Sequence, residues 1–461
     1  MLRRLPPIAG AIAFAIGVVN LVSALTPNLS WRGDVVVAVL PEDVVPLFHT
    51  LAVPASIALI VCSLYLRRRR RRAWAVAFAM LVALGAFDVV KGLDVEEAVL
   101  TWAGAAVLWF GRGYFYVEHG RIRALRVLTA VLLAAAAAVA SLVWLASGRH
   151  AEEVTVLRQT IELFSFTNGS MSFHDELSWL PLAVSALTIL LIVVGEWLFF
   201  SPRPAPRTPP DAAARRRARA LIHDHGTDTL AFFKLRRDLQ YLFAHDGRAF
   251  LGYRIENGVL IVAGDPVGPA DAVEQVAHDT CRVARIHGLR VTAIGASSEL
   301  LPVWRACGLR SIYLGDEAIV NTATFSLEGR AIRKVRQSVH RLSKAGYTAD
   351  VHALAELDRT ALAELEDVSS SWRGSSCERG FAMTMDVLGR DGLVVVARDS
   401  AATVRGFLHF VPTHGRQALS LSFMRGDRAT PNGLMEFLVV RAIELLRDLG
   451  VEELSLNFVM F

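Results

Sequence analysis

Cysteine is scarce and scattered in this chain: Cys62, Cys281, Cys307 and Cys377 form no C-x-x-C pair and have no histidine at ligand spacing. That pattern argues against a structural zinc site and against a disulfide framework. Charge is scarce too, at 20% of 461 residues, while 53% are hydrophobic. Soluble domains carry about 25% charged and about 45–50% apolar residues. An ordinary cytosolic enzyme is therefore excluded, and a sizeable part of the chain is expected in lipid. The length allows about three units. Base exceeds acid only slightly, 49 Lys and Arg against 44 Asp and Glu; in a membrane context that balance points to anionic lipid, nucleic acid or both. Also missing is the Gln/Arg-x-x-Gly-x-Gly/Ala signature with which a helix start cradles a pyrophosphate.

What is present in the first 200 residues is a series of apolar stretches, at 8–26, 46–66, 73–90, 97–110, 125–147 and 177–200. All but 97–110 approach the roughly 20 residues that span a bilayer as a helix. Counting Lys and Arg in alternate connections gives eighteen on one side and four on the other. The rich side holds Arg67 to Arg72 and the cluster from Arg203 to Arg219. Six spans with both termini cytoplasmic fit this bias. Arg3-Arg4 and the triplet Val22-Ser23-Ala24 imitate a secretory signal, but the length of the first stretch and the parity of the later loops favour an uncleaved span. The hexa-arginine run is read as a topology anchor rather than a nucleic-acid patch. Asp88 and Glu196 sit at span ends, where interfacial placement accounts for them as well as a transport path does.

Ser201–Pro210 reads SPRPAPRTPP, a composition suited to an extended spacer. Beyond it the pattern becomes mixed. Strand-like runs appear at 249–253, 259–263, 290–294, 393–398, 406–411, 419–424 and 453–458, with helical stretches near 228–245, 270–287, 298–307, 330–345, 355–372 and 432–449. This alternation predicts α/β or α+β layers, with Asp316–Phe325 as a join between two modest domains. In the loop Gly264–Pro269, GDPVGP, Asp265 either faces a ligand or belongs to a plain turn. Arg330, Arg333, Lys334, Arg336, Arg341 and Lys344 put six cations in fifteen residues, most on one helical face. Such a face is either solvated or turned toward phosphates. Thr430-Pro431-Asn432-Gly433 precedes a long helix, whose free N–H groups suit an anion or a developing oxyanion.

Several strings then become specific. YLGDEAIV at 313–320, FSLEG at 325–329 and KAGY at 344–347 occur with GDPVGP, Ser371-Trp372, Glu378-Arg379-Gly380-Phe381, SLSFMR at 420–425, Pro431-Asn432-Gly433 and Leu454-Ser455-Leu456. In these strings the region 225–461 resembles the C-terminal domain of bacterial phosphatidylglycerol lysyltransferases, the multiple-peptide-resistance-factor type of aminoacyl-phosphatidylglycerol synthase. The resemblance implies a multi-span α-helical membrane domain at 1–200, a Pro-rich linker at 201–211, and a cytoplasmic α/β (α+β) pair of acetyltransferase-like folds at 212–324 and 325–461. The second would be the catalytic one, its C-terminal end short of the family's. The implied reaction moves an amino acid from aminoacyl-tRNA to phosphatidylglycerol in a bacterial-type plasma membrane, with no cofactor and no metal. The lipid product would be less anionic, which weakens attraction of cationic antimicrobial peptides. Anionic membrane is a further partner, and homo-oligomerisation is left open.

The catalytic residues implied are Arg425, Glu378 and Ser422. Those implied for substrate binding are Asp265, Glu317, Arg333, Lys334, Arg336, Trp372, Asn432 and Gly433. Ser422 stands where the family usually has an aspartate three residues before the arginine, which shifts attention to Glu378 as a relocated base. The plain alternative for Arg425 is a brace to Asp427 or Glu436. Two other classes remain beside this one: a non-catalytic lipid- or RNA-binding regulator, and a membrane-tethered N-acyltransferase using acyl-CoA. Peptidoglycan-type aminoacyl transferases would share fold and donor and differ in acceptor.

Overall fold

The structure, a computed structural model, describes residues 5–25, 44–92, 95–119, 180–205, 210–376 and 380–460, with isolated positions between 126 and 140. The chain divides into two compact units, Met1–Ala205 with Arg285–Gly288, and Pro206–Ala284 with Leu289–Phe461.

Five helices build the described part of the first unit: α1 (Leu5–Leu25), α2 (Val44–Arg67), α3 (Arg71–Gly92), α4 (Val95–Phe110) and α5 (Leu180–Phe199). They correspond to five of the six expected stretches. The sixth, 125–147, is described only at isolated positions between 126 and 140. Two of the helices, over Leu5–Ser23 and Leu182–Phe199, are long and apolar enough to cross a membrane. The interior of this unit is made of small and aliphatic side chains, Ala9, Ala13, Ile16, Leu59, Cys62, Ala73, Ala77 and Leu81. Gly10 and Gly17 sit about two turns apart on one face of α1 against α2; a Cβ at Gly10 would stand 2.9 Å from the Ser63 carbonyl, and one at Gly17 2.8 Å from Ile60. Small residues at this seam let two helix backbones approach closely.

The second unit holds two sheets. β1 (Gln240–Phe243), β2 (Phe250–Glu256), β3 (Val259–Ala263) and β4 (Arg290–Ile294) lie in that order. The first three are antiparallel, and β3 and β4 are parallel, joined over one face by α7 (Ala270–Ile286); α6 (Ala212–His225) precedes β1. Ala272, Val273, Val276, Ala277, Cys281 and Ala284 recur at helical spacing on α7 and are buried against this sheet. After the short α8 (Leu301–Ala306) comes the second sheet, ordered β5-β10-β9-β8-β7-β6. Its strands are β5 (Gly315–Asn321), β6 (Thr348–Ala353), β7 (Leu393–Arg398), β8 (Val404–Thr413), β9 (Ala418–Gly426) and β10 (Glu453–Met460). The helices are α9 (Arg333–Lys344), α10 (Arg359–Arg373) and α11 (Leu434–Asp448). Only β9 and β10 run parallel here, with α11 as the crossover. Successive residues of β8 alternate between two cores: Phe407 and Val411 face the one shared with α10, Leu408 and Phe410 the one under α11. On α11, Leu434, Phe437, Leu438, Ile443 and Leu446 are nearly inaccessible, each contributing roughly 1.5–3 kcal/mol by burial.

Three expectations need correction. The helix expected over 228–245 is a 3₁₀ turn, Phe232–Leu235, followed by strand β1. Phe232, Phe233, Lys234 and Leu235 are all buried, so the segment has no polar side to present as a surface helix. The join expected at Asp316–Phe325 contains most of β5, which pairs with β10; by hydrogen bonding the two sheets divide ahead of Gly315 rather than at 324. The basic helix starts at Arg333, with Ile332 as its cap, so Arg330 precedes it.

Candidate active site

The parallel pair β9/β10 is joined over only three registers, ending at Ser455↔Ser420. Beyond that point both strands bulge. β9 advances from Leu421 to Phe423 while β8 advances one residue, leaving Ser422 as the unpaired bulge residue. β10 takes three residues from Ser455 to Phe458 while β5 takes two, and Asn457 has φ +72°. Bulges bend strands and re-aim side chains, and two of them facing each other part the sheet.

Residues 383–385 close the gap. Asn457 Nδ2 donates to the carbonyls of Met383 and Leu421, Thr384 Oγ1 donates to Ser422 O at 2.9 Å, and Met385 N donates to Ser422 Oγ at 2.9 Å. The segment is anchored from the first sheet's side by Arg236, which donates to Thr384 O at 2.7 Å and grips Asp238 with two bonds of 2.9 and 3.1 Å. Burial alone would raise the Asp238 carboxyl, but the hydrogen bonds and charge of Arg236, with Arg254, hold it below the usual carboxylate range.

Arg425 lies on β9 beside this parting and is 5% exposed. Its guanidinium carbon stands 4.2 Å from the centre of the Trp372 ring and 4.7 Å from that of Phe423. Nε reaches Ser369 Oγ at 3.4 Å, and Nη1 the Met424 carbonyl at 3.3 Å. Each ring contact is worth about 0.5–2 kcal/mol, and together they fix the plane and position of this buried guanidinium. Asp427, one of the expected braces, is engaged by Arg405 at 2.8 Å, which also takes Asp399 at 2.7 Å. The start of α11 is faced by another cation. Gly433 caps the helix at φ +99°, a conformation that favours glycine, and Arg341 of α9 donates to the Asn432 carbonyl.

The other expected residues are more dispersed. Glu317 on β5 accepts from Ser455 Oγ at 2.5 Å, at the last position where β10 pairs with β9. Asp265 belongs to the first sheet, where both carboxylate oxygens accept from Ser297 N at 3.2 Å. Burial pushes its carboxyl up despite that bond and despite the nearby, fully buried Lys234. Arg333, Lys334 and Arg336 are exposed on α9; Arg336 turns back to the carbonyls of Leu327 and Gly329 at 2.5 and 3.3 Å. Glu378 lies outside the described residues. The structure thus brings Arg425, Trp372 and Ser422 to one strand and its covering helix and leaves Asp265 in the other sheet. Among the described residues no cluster of His, Cys, Asp and Glu could hold a metal.

The family model for the C-terminal domain of phosphatidylglycerol lysyltransferase matches residues 219–461, more than half the chain. The chain belongs to the phosphatidylglycerol lysyltransferase family. The lysylphosphatidylglycerol biosynthesis bifunctional protein LysX of Gordonia bronchialis is 31% identical over 99% of this chain and 42% of its own length. The protein of the same name from Mycobacterium leprae is 37% identical over 53% of this chain and 22% of its own. The chain therefore spans less than half of these relatives. The solved structure of L-PGS from Bacillus licheniformis superposes with a TM-score of 0.51 at 23% identity, over 56% of this chain and 78% of that one; at that identity the likeness concerns the fold. The family region takes in the whole β9/β10 parting. Within it, the sequence strings already contained Arg425, Trp372 and Ser422. Arg236, Thr384 and Asn457 escaped sequence reasoning: Arg236 sits in the segment read as helix, and the other two belong to no recognised string.

Proposed function

We propose that the chain is an integral-membrane aminoacyltransferase that moves an amino acid, lysine or a similar one, from aminoacyl-tRNA to phosphatidylglycerol. The observation that carries this reading is the family match over 219–461, with Arg425 held ready between two rings. The reaction is ester exchange. A glycerol hydroxyl of the lipid attacks the aminoacyl carbonyl, the new C–O bond forms, the bond to the tRNA ribose oxygen breaks, and the hydroxyl proton passes to that oxygen. Arg425 is assigned to the anion, either the lipid phosphate or the oxyanion of the tetrahedral intermediate. Glu378 is assigned to the proton, with Ser422 holding the adjoining Met385 backbone in place. Arg333 and Lys334, exposed on α9, are assigned to tRNA phosphates.

Membrane integration is supported by the outside of the first unit, where Phe110 is 85% and Leu182 76% exposed. Large apolar side chains turned outward suit lipid rather than water. The Lys/Arg bias supports six spans with residues 201–461 on the cytoplasmic side, where charged tRNA is available. Acetyltransferase-like folding of both sheets is supported by their common plan, antiparallel strands leading into a β-α-β crossover. A binding-only regulator is the second reading, favoured by the fact that Ser422 Oγ is already engaged by Met385 N and Thr384. Lipid extracts from a host lacking such enzymes, with and without this chain, separate the two. A new aminoacylated phosphatidylglycerol that disappears when membranes are assayed after ribonuclease treatment supports transfer. An unchanged lipid profile with intact protein in the membrane overturns it.

A further inference from the structure

A cavity of about 390 Å³ opens beside β8, bounded by α6 and by residues 385–392. Four arginines line it, Arg215 and Arg219 of α6 with Arg237 and Arg390, against two aspartates, Asp386 and Asp391. Arg219 is taken up by Asp391 at 2.5 Å, which leaves three guanidiniums facing one carboxylate. Asp386 Oδ2 accepts from Arg237 N at 3.3 Å, while Oδ1 is buried with no protein partner. The floor is His409, 1% exposed, and neither of its ring nitrogens has a partner. Burial holds this imidazole neutral, its pKa pushed down to about 3, so it offers one donor and one acceptor. Buried polar groups are normally hydrogen-bonded. The unmet capacity at the floor is therefore two acceptors, Asp386 Oδ1 and one imidazole nitrogen, and one donor, the other nitrogen.

A ligand that meets this set presents two donors and one acceptor on one edge. Among the nucleobases guanine does so, with N1–H, N2–H and O6, whereas adenine sets a single donor beside a single acceptor. Phe232, Leu235 and Val411 add an apolar wall for a flat ring, and guanidinium forks suit phosphate oxygens. We propose that the cavity binds a free guanine nucleotide, its phosphates on Arg215, Arg237 and Arg390 and its base against Asp386 and His409. Arg425, Trp372 and Ser422 are not among the lining residues, so the nucleotide is an effector and not a reactant. Its link to the opened strand pair is Met385, which lines the cavity while its N–H donates to Ser422 Oγ at 2.9 Å. The acceptor end of a tRNA finishes in adenine, so a guanine preference also sets this ligand apart from the donor in the proposed reaction. The inference goes beyond that reaction and does not rest on it.

The test uses the full chain in detergent and calorimetric titration with guanosine diphosphate, adenosine diphosphate and inorganic pyrophosphate. Guanosine diphosphate is expected to bind about tenfold or more tightly than adenosine diphosphate, since a lost hydrogen bond to a charged acceptor is worth about that factor. Combined Arg237→Gln and Arg390→Gln should weaken all three ligands by about tenfold or more, each lost charge-assisted bond being of the same size. His409→Phe, which keeps a ring in the core, should narrow the gap between the two nucleotides and leave pyrophosphate unchanged. Amide hydrogen exchange across 383–391 should slow when guanosine diphosphate binds. Melting curves and near-UV dichroism confirm that each variant is folded. Equal binding of the two nucleotides by the unaltered chain overturns the guanine assignment. Binding indifferent to the arginine pair in a folded variant, or binding that leaves exchange at 383–391 unaltered, overturns the site. Displacement of guanosine diphosphate by a CCA-ended RNA or by phosphatidylglycerol nanodiscs overturns the effector role and gives the cavity to a substrate. None of these readouts depends on aminoacyl transfer, so their failure and that of the proposed function are told apart.

Discussion

The two sheets of the second unit carry the same device, a parallel strand pair joined by a crossover helix, and treat it differently. In the first, β3 and β4 stay paired through five registers, from Val259↔Arg290 to Ala263↔Ile294, and Gly264 N continues the ladder to Ile294 O at 2.8 Å. Asp265 then ties the strand end to Ser297. In the second, β9 and β10 part after three registers. A ladder that stays closed uses its backbone groups on itself. One that opens leaves strand edges for side chains to satisfy, and Ser422, Thr384 and Asn457 do so within a short distance of Arg425. The difference teaches what each pair leaves available: the closed pair braces, and the opened pair is where the proposed chemistry is assigned.

The sharpest way to break that contrast is Arg425→Ala. Loss of one preorganised anion donor is expected to lower aminoacyl-lipid formation by about 10²–10³, or about 2.7–4 kcal/mol in the barrier, measured as initial rate in isolated membranes. Arg425→Lys should recover little, because stacking between Trp372 and Phe423 needs a planar cation. Asp265→Asn, at the closed pair, should leave the rate within about tenfold, one lost hydrogen bond being worth about 1 kcal/mol.

Next in size is Arg236→Ala. It frees Thr384 O from its donor and leaves Asp238 to Arg254, which still holds it at 3.0 Å; losing one partner of a buried ion pair costs about 3–5 kcal/mol, and because Asp238 is one-third exposed and keeps Arg254, a cost below that range is expected in denaturant unfolding. The matched change in the first sheet, Arg248→Ala, removes an exposed, solvent-screened pair with Asp246 and Asp271 and should leave the unfolding midpoint close to that of the unaltered chain.

A third prediction concerns acid. His409 is neutral in the fold with a pKa near 3, against about 6.5 when unfolded. Between those values the unfolded chain binds the extra proton, so stability is full above the unfolded value and falls as pH drops. The expected slope below pH 6.5 is about 1.4 kcal/mol per unit from this group, and His409→Phe should flatten it in unfolding measured across pH 4–7. An unchanged slope in that variant would place the acid sensitivity elsewhere.

The smallest effect is expected from Ser422→Asp. The carboxylate keeps an acceptor for Met385 N but gives up the hydroxyl that can donate to Thr384. If the family carboxylate aids the lipid hydroxyl, transfer should rise several-fold over the unaltered chain; a fall would assign the bulge residue to bracing.

Much of the fold was legible because its signals are local. Alternating apolar residues marked β2, β3, β4 and β7 to β10, and the 3.6-residue recurrence marked α7, α10 and α11. Arg425 and Trp372 were legible as members of short strings. The region 228–245 was misread because burial on every side, not periodicity, governs Phe232 to Leu235. β5 was taken for a connector because its partner β10 lies far along the chain: Glu317 and Ser455 are 138 residues apart.

By itself the sequence determined the division into an apolar half and an α/β half and the strings that mark the family, since composition, periodicity and motif order are properties of neighbouring residues. The tertiary structure decided which parallel pair opens, which cation faces the α11 start and which groups stand unpaired at the floor of the cavity. Arg236 meets Thr384 across 148 residues and Ser422 meets Met385 across 37. Contacts of that kind come from long-range closure of the chain, where a bulge in one strand matters only through what the neighbouring strand and segment place against it.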